Sequence, residues 1–188
     1  IDRGELTPYM WRLEEFTNII TGGGSGYGIF VMIGWLSLFG DSLFSARMLM
    51  VLAGLITAGI YYLVSTKWWE NKEAGFAGMI FGIVGTSSVF TLVGRMDALG
   101  ILAYSLLLLL HITAVRQEKN WIHIFVGVGA ILTVEFHVLG LLYVGALAVY
   151  YGIQYVRIVI EEKRVVLNTP ATFYFVGAGI SGLIYIIV

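Results

Sequence analysis

The feature that most constrains this chain is an alternation of long apolar runs with short charged clusters. Six mostly apolar stretches stand out: Leu43–Val64, Ala74–Val93, Ala98–Val115, Trp121–Val134, Val138–Val156 and Thr172–Val188. Lengths near 20 residues match the hydrocarbon thickness of a bilayer when the chain is helical. Hydrophobic residues make up 59% of the chain and charged residues 12%, where a soluble domain is nearer half and a quarter. The pattern therefore predicts an all-α fold, a polytopic transmembrane helical bundle, over residues 43–188. It excludes a soluble enzyme. The net charge of −1 with no basic tract removes the electrostatic case for binding nucleic acid. With no cysteine, disulfides, thiolate metal sites and a cysteine nucleophile are excluded as well.

The charges sort by turn. Lys67, Lys72, Arg116, Lys119, Arg157, Lys163 and Arg164 fall in alternate turns and include every lysine. With Glu70, Glu73, Glu118, Glu161 and Glu162, that side is net positive. The other side holds Arg3, Arg12, Arg47 and Arg95 against Asp2, Glu5, Glu14, Glu15, Asp41, Asp97 and Glu135, and is net negative. The positive-inside rule places the lysine-bearing turns in the cytoplasm. Residues 1–42, the Arg95/Asp97 turn and the Glu135/His137 turn are then expected to share the external or luminal face.

Residues 1–42 form a distinct region, read as an external loop with two interfacial helices. Thr7-Pro8 is a helix start, with Thr7 as cap and Pro8 in the first turn. Tyr9, Leu13, Phe16 and Ile20 then follow helical spacing on one face, the pattern of an amphipathic helix in the membrane interface. Thr21–Gly26 reads as a loop because glycine dominates it. Tyr27–Phe39 is apolar but reaches only about 20 Å as a helix, short of a core about 30 Å thick. Trp121–Val134 is likewise too short to cross alone. The chain opens at Ile1 without Met and ends inside an apolar run, so it reads as part of a longer membrane protein.

Three polar clusters meet on the external face: Asp2-Arg3-Gly4-Glu5, Gly94-Arg95-Met96-Asp97 and Glu135-Phe136-His137. Ionisable groups at membrane depth are costly and face a bundle interior, a wet cavity or each other. Plainer readings stand beside this one. Arg95 and Asp97 can form a solvated turn with Asp97 capping the next helix, and Glu135 and His137 can snorkel at a helix end. His111 and His123 read as structural, and no metal-ligand spacing is present. Ser87-Ser88 lacks a nearby base. Gly78 and Gly82 form a GxxxG pair, a mark of close helix packing. Trp68, Trp69, Trp121 and Tyr155 read as interface anchors.

The stretch from Gly28 through Trp35, Phe39-Gly40-Asp41-Ser42 and Arg47 resembles a landmark of the polyprenyl-phosphate-sugar-dependent GT-C glycosyltransferases, the protein O-mannosyltransferase and aminoarabinose-transferase type. In that family an apolar juxtamembrane helix ends in Phe-Gly, a short polar step follows, and an Arg opens the next span. The order of spans, basic loop and external Asp (here Asp97) is also similar, over roughly residues 1–156. Where the family carries a proline-containing stretch before the juxtamembrane helix, this chain has Gly23-Gly24-Ser25-Gly26.

The resemblance implies a membrane glycosyltransferase that moves a sugar from a polyprenyl-phosphate donor, such as dolichyl phosphate mannose, to a hydroxyl acceptor with inversion. It places the base in the first external loop, at Asp2 or Glu5, with Asp97 in the later external turn to orient the base, the acceptor or Arg95. The lipid phosphate would meet Arg95, His137 and Arg3, with Glu135 in the same turn. No cofactor or metal is expected, since the lipid-linked sugar is itself the activated donor. The expected partners are membrane lipid, that donor and an acceptor left open. Two other classes fit the composition: a transporter subunit, with Glu135 and His137 on an ion path, and a non-catalytic assembly subunit packing through small-residue faces.

Overall fold

The computed structural model describes residues 26–87, 97–134, 136 and 140–187. The expected amphipathic helix from Thr7 to Ile20 lies outside them. The described residues contain seven α-helices and no strand: α1 Gly26–Phe39, α2 Leu43–Trp69, α3 Lys72–Ser87, α4 Asp97–Gln117, α5 His123–Val134, α6 Gly140–Glu162 and α7 Pro170–Ile187. A single 3₁₀ turn, Asn120–Ile122, leads into α5. Leu43–Trp69, Ala98–Gln117 and Gly140–Glu162 are long and apolar enough to cross a membrane. Phe30–Phe39, Asn120–Val134 and Pro170–Ile184 are shorter apolar helices. The chain is an all-α membrane bundle, as the alternation of apolar and charged segments predicts. These helices fall into two compact units, one within residues 26–106 plus Phe136, the other 107–134 and 140–187.

In the first unit, α1 has 14 residues and rises about 21 Å, so it keeps the short length read from sequence. It begins at Gly26, which the sequence reading had placed in the loop. The helix stops at Gly40, whose φ of +90° suits a residue without Cβ. The Gly40 N–H donates to the Leu36 carbonyl at 2.8 Å. Ser42 then caps α2 by accepting from the Ser45 N–H at 3.1 Å, satisfying one of the free donors of a helix start. The Trp35 indole N–H donates to the Ser45 carbonyl at 2.9 Å, tying α1 to the head of α2. Met32 and Leu36 bury against Ala46, Leu49, Met50 and Ala53 of α2 and Ala98 and Leu99 of α4.

Helices α2 and α3 form a tight hairpin. Asn71 starts α3 by accepting the Glu73 N–H at 2.7 Å. The GxxxG pair packs as expected: a Cβ on Gly78 would stand 2.8 Å from the Tyr61 carbonyl, and one on Gly82 would stand 2.9 Å from Ala58 Cα. Tyr61–Phe81 and Tyr62–Phe76 meet edge to face along the same seam.

The second unit is built on α5 and α7, whose backbones touch. A side chain on Gly127 would collide with the Tyr174 carbonyl, and one on Gly177 with that of Ile124. Thr169 caps α7 by accepting from the Thr172 N–H at 3.2 Å, and Pro170 takes the first helical position, where its missing N–H is harmless. Helix α6 runs on to Glu162, beyond the Val156 limit read from sequence. Arg157 is consequently a helix residue, paired with Glu161 at 2.7 Å.

The core of this unit is partly polar. Leu107, Ala114, Ile122, Val126, Ala130 and Ala171 surround Tyr151 and Tyr174, whose rings stack at 4.3 Å. The fully buried Tyr151 hydroxyl lies 2.9 Å from His111 Nδ1 and 2.6 Å from His123 Nδ1. One phenol is the partner of both Nδ1 atoms.

Two stability outcomes follow from these contacts. Gly177→Ala should destabilise the protein by about 1–3 kcal/mol, because backbone cannot yield to the new methyl. Gly179→Ala, with open space around it, should be neutral or slightly stabilising; equal melting temperatures for the two would contradict the packing. Tyr151→Phe keeps the stack on Tyr174 but leaves two buried imidazole nitrogens without a partner. It should cost about 1–3 kcal/mol or more in thermal or denaturant unfolding, and an unchanged melting temperature would remove the phenol from that role.

Candidate functional site

Of the residues that the sequence singles out for chemistry, Asp2, Arg3, Glu5, Arg95, Glu135 and His137 lie outside the described residues. Asp97 is the first residue of α4, the position from which it was read as a helix start. The neighbours of two of these clusters are described, and they belong to one unit. Phe136, between Glu135 and His137 in sequence, packs against the apolar cluster of Met32, Leu36, Ala46, Leu49, Met50, Ala53, Ala98 and Leu99. Ala98 and Leu99 follow Asp97 directly in the chain, and Trp35 flanks the same cluster. The landmark residues around it are ordered by local chemistry: Gly40 turns the chain, Ser42 caps α2, and Arg47 follows on an exposed face of α2.

The described side chains make a second polar site that the sequence reading missed. His111 and His123, read there as separate structural residues, converge on Tyr151 from positions 40 and 28 residues away. No local spacing marks that meeting, and only the fold creates it. Tyr150 sits edge to face with His111 at 5.0 Å and with Tyr151 at 5.2 Å, and its hydroxyl accepts from Gln154 Nε2 at 2.8 Å. A cavity of about 280 Å³ opens beside this group, with His123, Tyr150, Tyr151, Gln154, Glu118 and Asn120 in its wall. Asn120 in turn donates to the Asn168 carbonyl at 3.0 Å, joining the turn before α5 to the turn before α7.

A wider groove of about 460 Å³ adjoins it along α6 and shares Tyr150 and Gln154. Its charged members, Arg157 and Glu161, neutralise each other. Among the described residues, no group of three or more His, Asp or Glu side chains could hold a metal ion. The chemistry of this site is hydrogen bonding by neutral groups, with Glu118 as the formal charge in the wall of the cavity.

Residues 28–186 match the family described as dolichyl-phosphate-mannose-protein mannosyltransferase. No curated protein matches the chain, and no solved structure does. The family match runs from the third residue of α1 to the last turn of α7, taking in every described helix. With most of its length covered and a helical membrane bundle to match, the chain belongs to the dolichyl-phosphate-mannose-protein mannosyltransferase family, a family of glycosyltransferases.

Proposed function

We propose that this chain forms the membrane part of a multi-pass glycosyltransferase that takes a mannose from a polyprenyl phosphate and gives it to a hydroxyl of a protein acceptor on the external or luminal face. The observation that carries the reading is the family match over residues 28–186. The charge asymmetry of the turns supports the choice of face, since every lysine falls on the opposite side. The packing of Phe136 on the cluster containing Ala98 and Leu99 supports a site to which the Asp97 and Glu135/His137 turns both contribute.

In this reading Asp2, with Glu5 as the alternative, is the base. Its carboxylate takes the proton from the acceptor hydroxyl as the oxygen attacks the anomeric carbon. The bond from that carbon to the phosphate oxygen breaks, and the polyprenyl phosphate leaves with the electron pair, so the sugar carbon inverts. Charge grows on the leaving phosphate during this step. In this reading Arg95, His137 and Arg3 meet it, since cationic donors there would favour the transition state over the ground state. Asp97 orients the base or Arg95, and Glu135 holds His137 as a hydrogen-bond donor. The donor needs no cofactor because the phosphate ester is already activated.

The test is transfer of labelled mannose from polyprenyl phosphate mannose to acceptor peptides by the full-length protein in lipid. Transfer from the lipid donor but not from a nucleotide sugar is the expected result, and the reverse preference would overturn the reading. Asp2→Asn should lower turnover by about 10²-fold or more with folding unchanged. Arg95→Ala should instead raise the KM for donor, through the lost charge-assisted contact. Wild-type turnover in both Asp2→Asn and Glu5→Gln would remove the base from the first loop.

A further inference from the structure

The cavity of about 280 Å³ beside Tyr151 is lined largely by polar residues. Because one phenol serves two imidazoles, its proton can go to only one of them. The Tyr151 hydroxyl lies 2.6 Å from His123 Nδ1 and 2.9 Å from His111 Nδ1, so one ring accepts its proton and the other donates to its oxygen. His123 is 2% exposed and forms part of the cavity wall, where a neutral imidazole can donate or accept.

Other groups in the wall are similarly poised. Tyr150 accepts from Gln154 and so has its own hydroxyl proton to donate, while Gln154 keeps Oε1 to accept. Glu118 at the same cavity adds a carboxylate acceptor. A wall of alternating neutral donors and acceptors with a tyrosine face beside them suits a molecule whose groups both donate and accept, as hydroxyls do. It does not suit a phosphate. Glu118 repels an anion, and Arg157 in the adjoining groove is already bound to Glu161. At about 280 Å³ the space is close to the lower limit of small-molecule sites, about 300 Å³, which fits one ring.

We propose that this cavity binds a neutral, hydroxyl-rich ring, either a free sugar or the uncharged sugar head of a glycolipid. None of its lining residues belongs to the reaction site proposed above. Its rim belongs to the lysine-bearing turns.

Saturation-transfer NMR on the full chain in a sugar-free detergent tests this, with methyl β-glucoside and submicellar octyl β-glucoside as probes. Ring-proton transfer with an affinity of about millimolar is expected, as small ligands with few contacts give. Tyr150→Phe and Gln154→Leu, shown to be folded by unchanged melting temperatures, should each weaken it by up to about tenfold. Arg95→Ala should leave it unchanged, as should added inorganic phosphate. Equal affinity for the two probes assigns a free ring, and markedly tighter octyl glucoside assigns a glycolipid head. No transfer from either probe would overturn the proposal. So would transfer lost with Arg95→Ala but kept in both cavity variants, or displacement by phosphate.

Discussion

Hydrocarbon offers a peptide group no hydrogen bond, and that constraint shapes every described element of this protein. A backbone that must satisfy itself within one segment becomes a helix, and its ends must be closed where the segment leaves the apolar layer. Gly40, Ser42, Asn71, Thr169 and the left-handed residues Glu70, Glu118 and Lys163 do that closing. Association between such helices gains little from hiding apolar surface, because lipid is as apolar as leucine. Close backbone approach replaces it. The α2–α3 seam at Gly78 and Gly82 and the α5–α7 contact at Gly127 and Gly177 bring whole helices within van der Waals reach, where many weak dispersion contacts add up.

The same constraint governs the polar side chains. Trp35 spends its indole N–H on the Ser45 carbonyl, and two imidazoles share one phenol at Tyr151. Exceptions are the hydroxyls of Ser45, Thr57 and Thr66, which are buried with no hydrogen-bond partner among the described residues. Trp35 fixes α1 to the head of α2, and Phe136 rests on the apolar cluster that α1, α2 and the start of α4 form.

What was legible in the sequence follows from the length scale of each signal. Apolar run length gave the helices, and Phe39-Gly40 with Ser42 gave the stop of α1 and start of α2, because glycine and serine act on adjacent peptide groups. The GxxxG pair marked close helix packing, and the fold supplies the partner, α2. One helix boundary was less visible: α6 continues to Glu162, with Arg157 and Glu161 paired one turn apart on it, although both read as loop residues by charge. The Tyr151 cluster was invisible, since no periodicity links residue 111 to 123 and 151. Family resemblance reached further than physics here. The landmark around Phe39-Gly40 and Arg47 pointed to the family that the comparison with residues 28–186 then showed. The proposed reaction residues rest on that resemblance and on the sorting of charges. For Arg95, Glu135 and His137 the described residues add only neighbours, and Asp2, Arg3 and Glu5 lie in a stretch outside them.

The account depends most on acidic and lysine-bearing turns lying on opposite sides of one membrane. The chain has no cysteine, so single cysteines placed at 41, 97, 72, 118 and 163 can be labelled with a membrane-impermeant thiol reagent in sealed, oriented vesicles. Positions 41 and 97 should react from the external or luminal side and positions 72, 118 and 163 from the other. Labelling of positions 97 and 118 from the same side would contradict the topology, and with it the placing of Asp97, Glu135 and His137 at one reaction site.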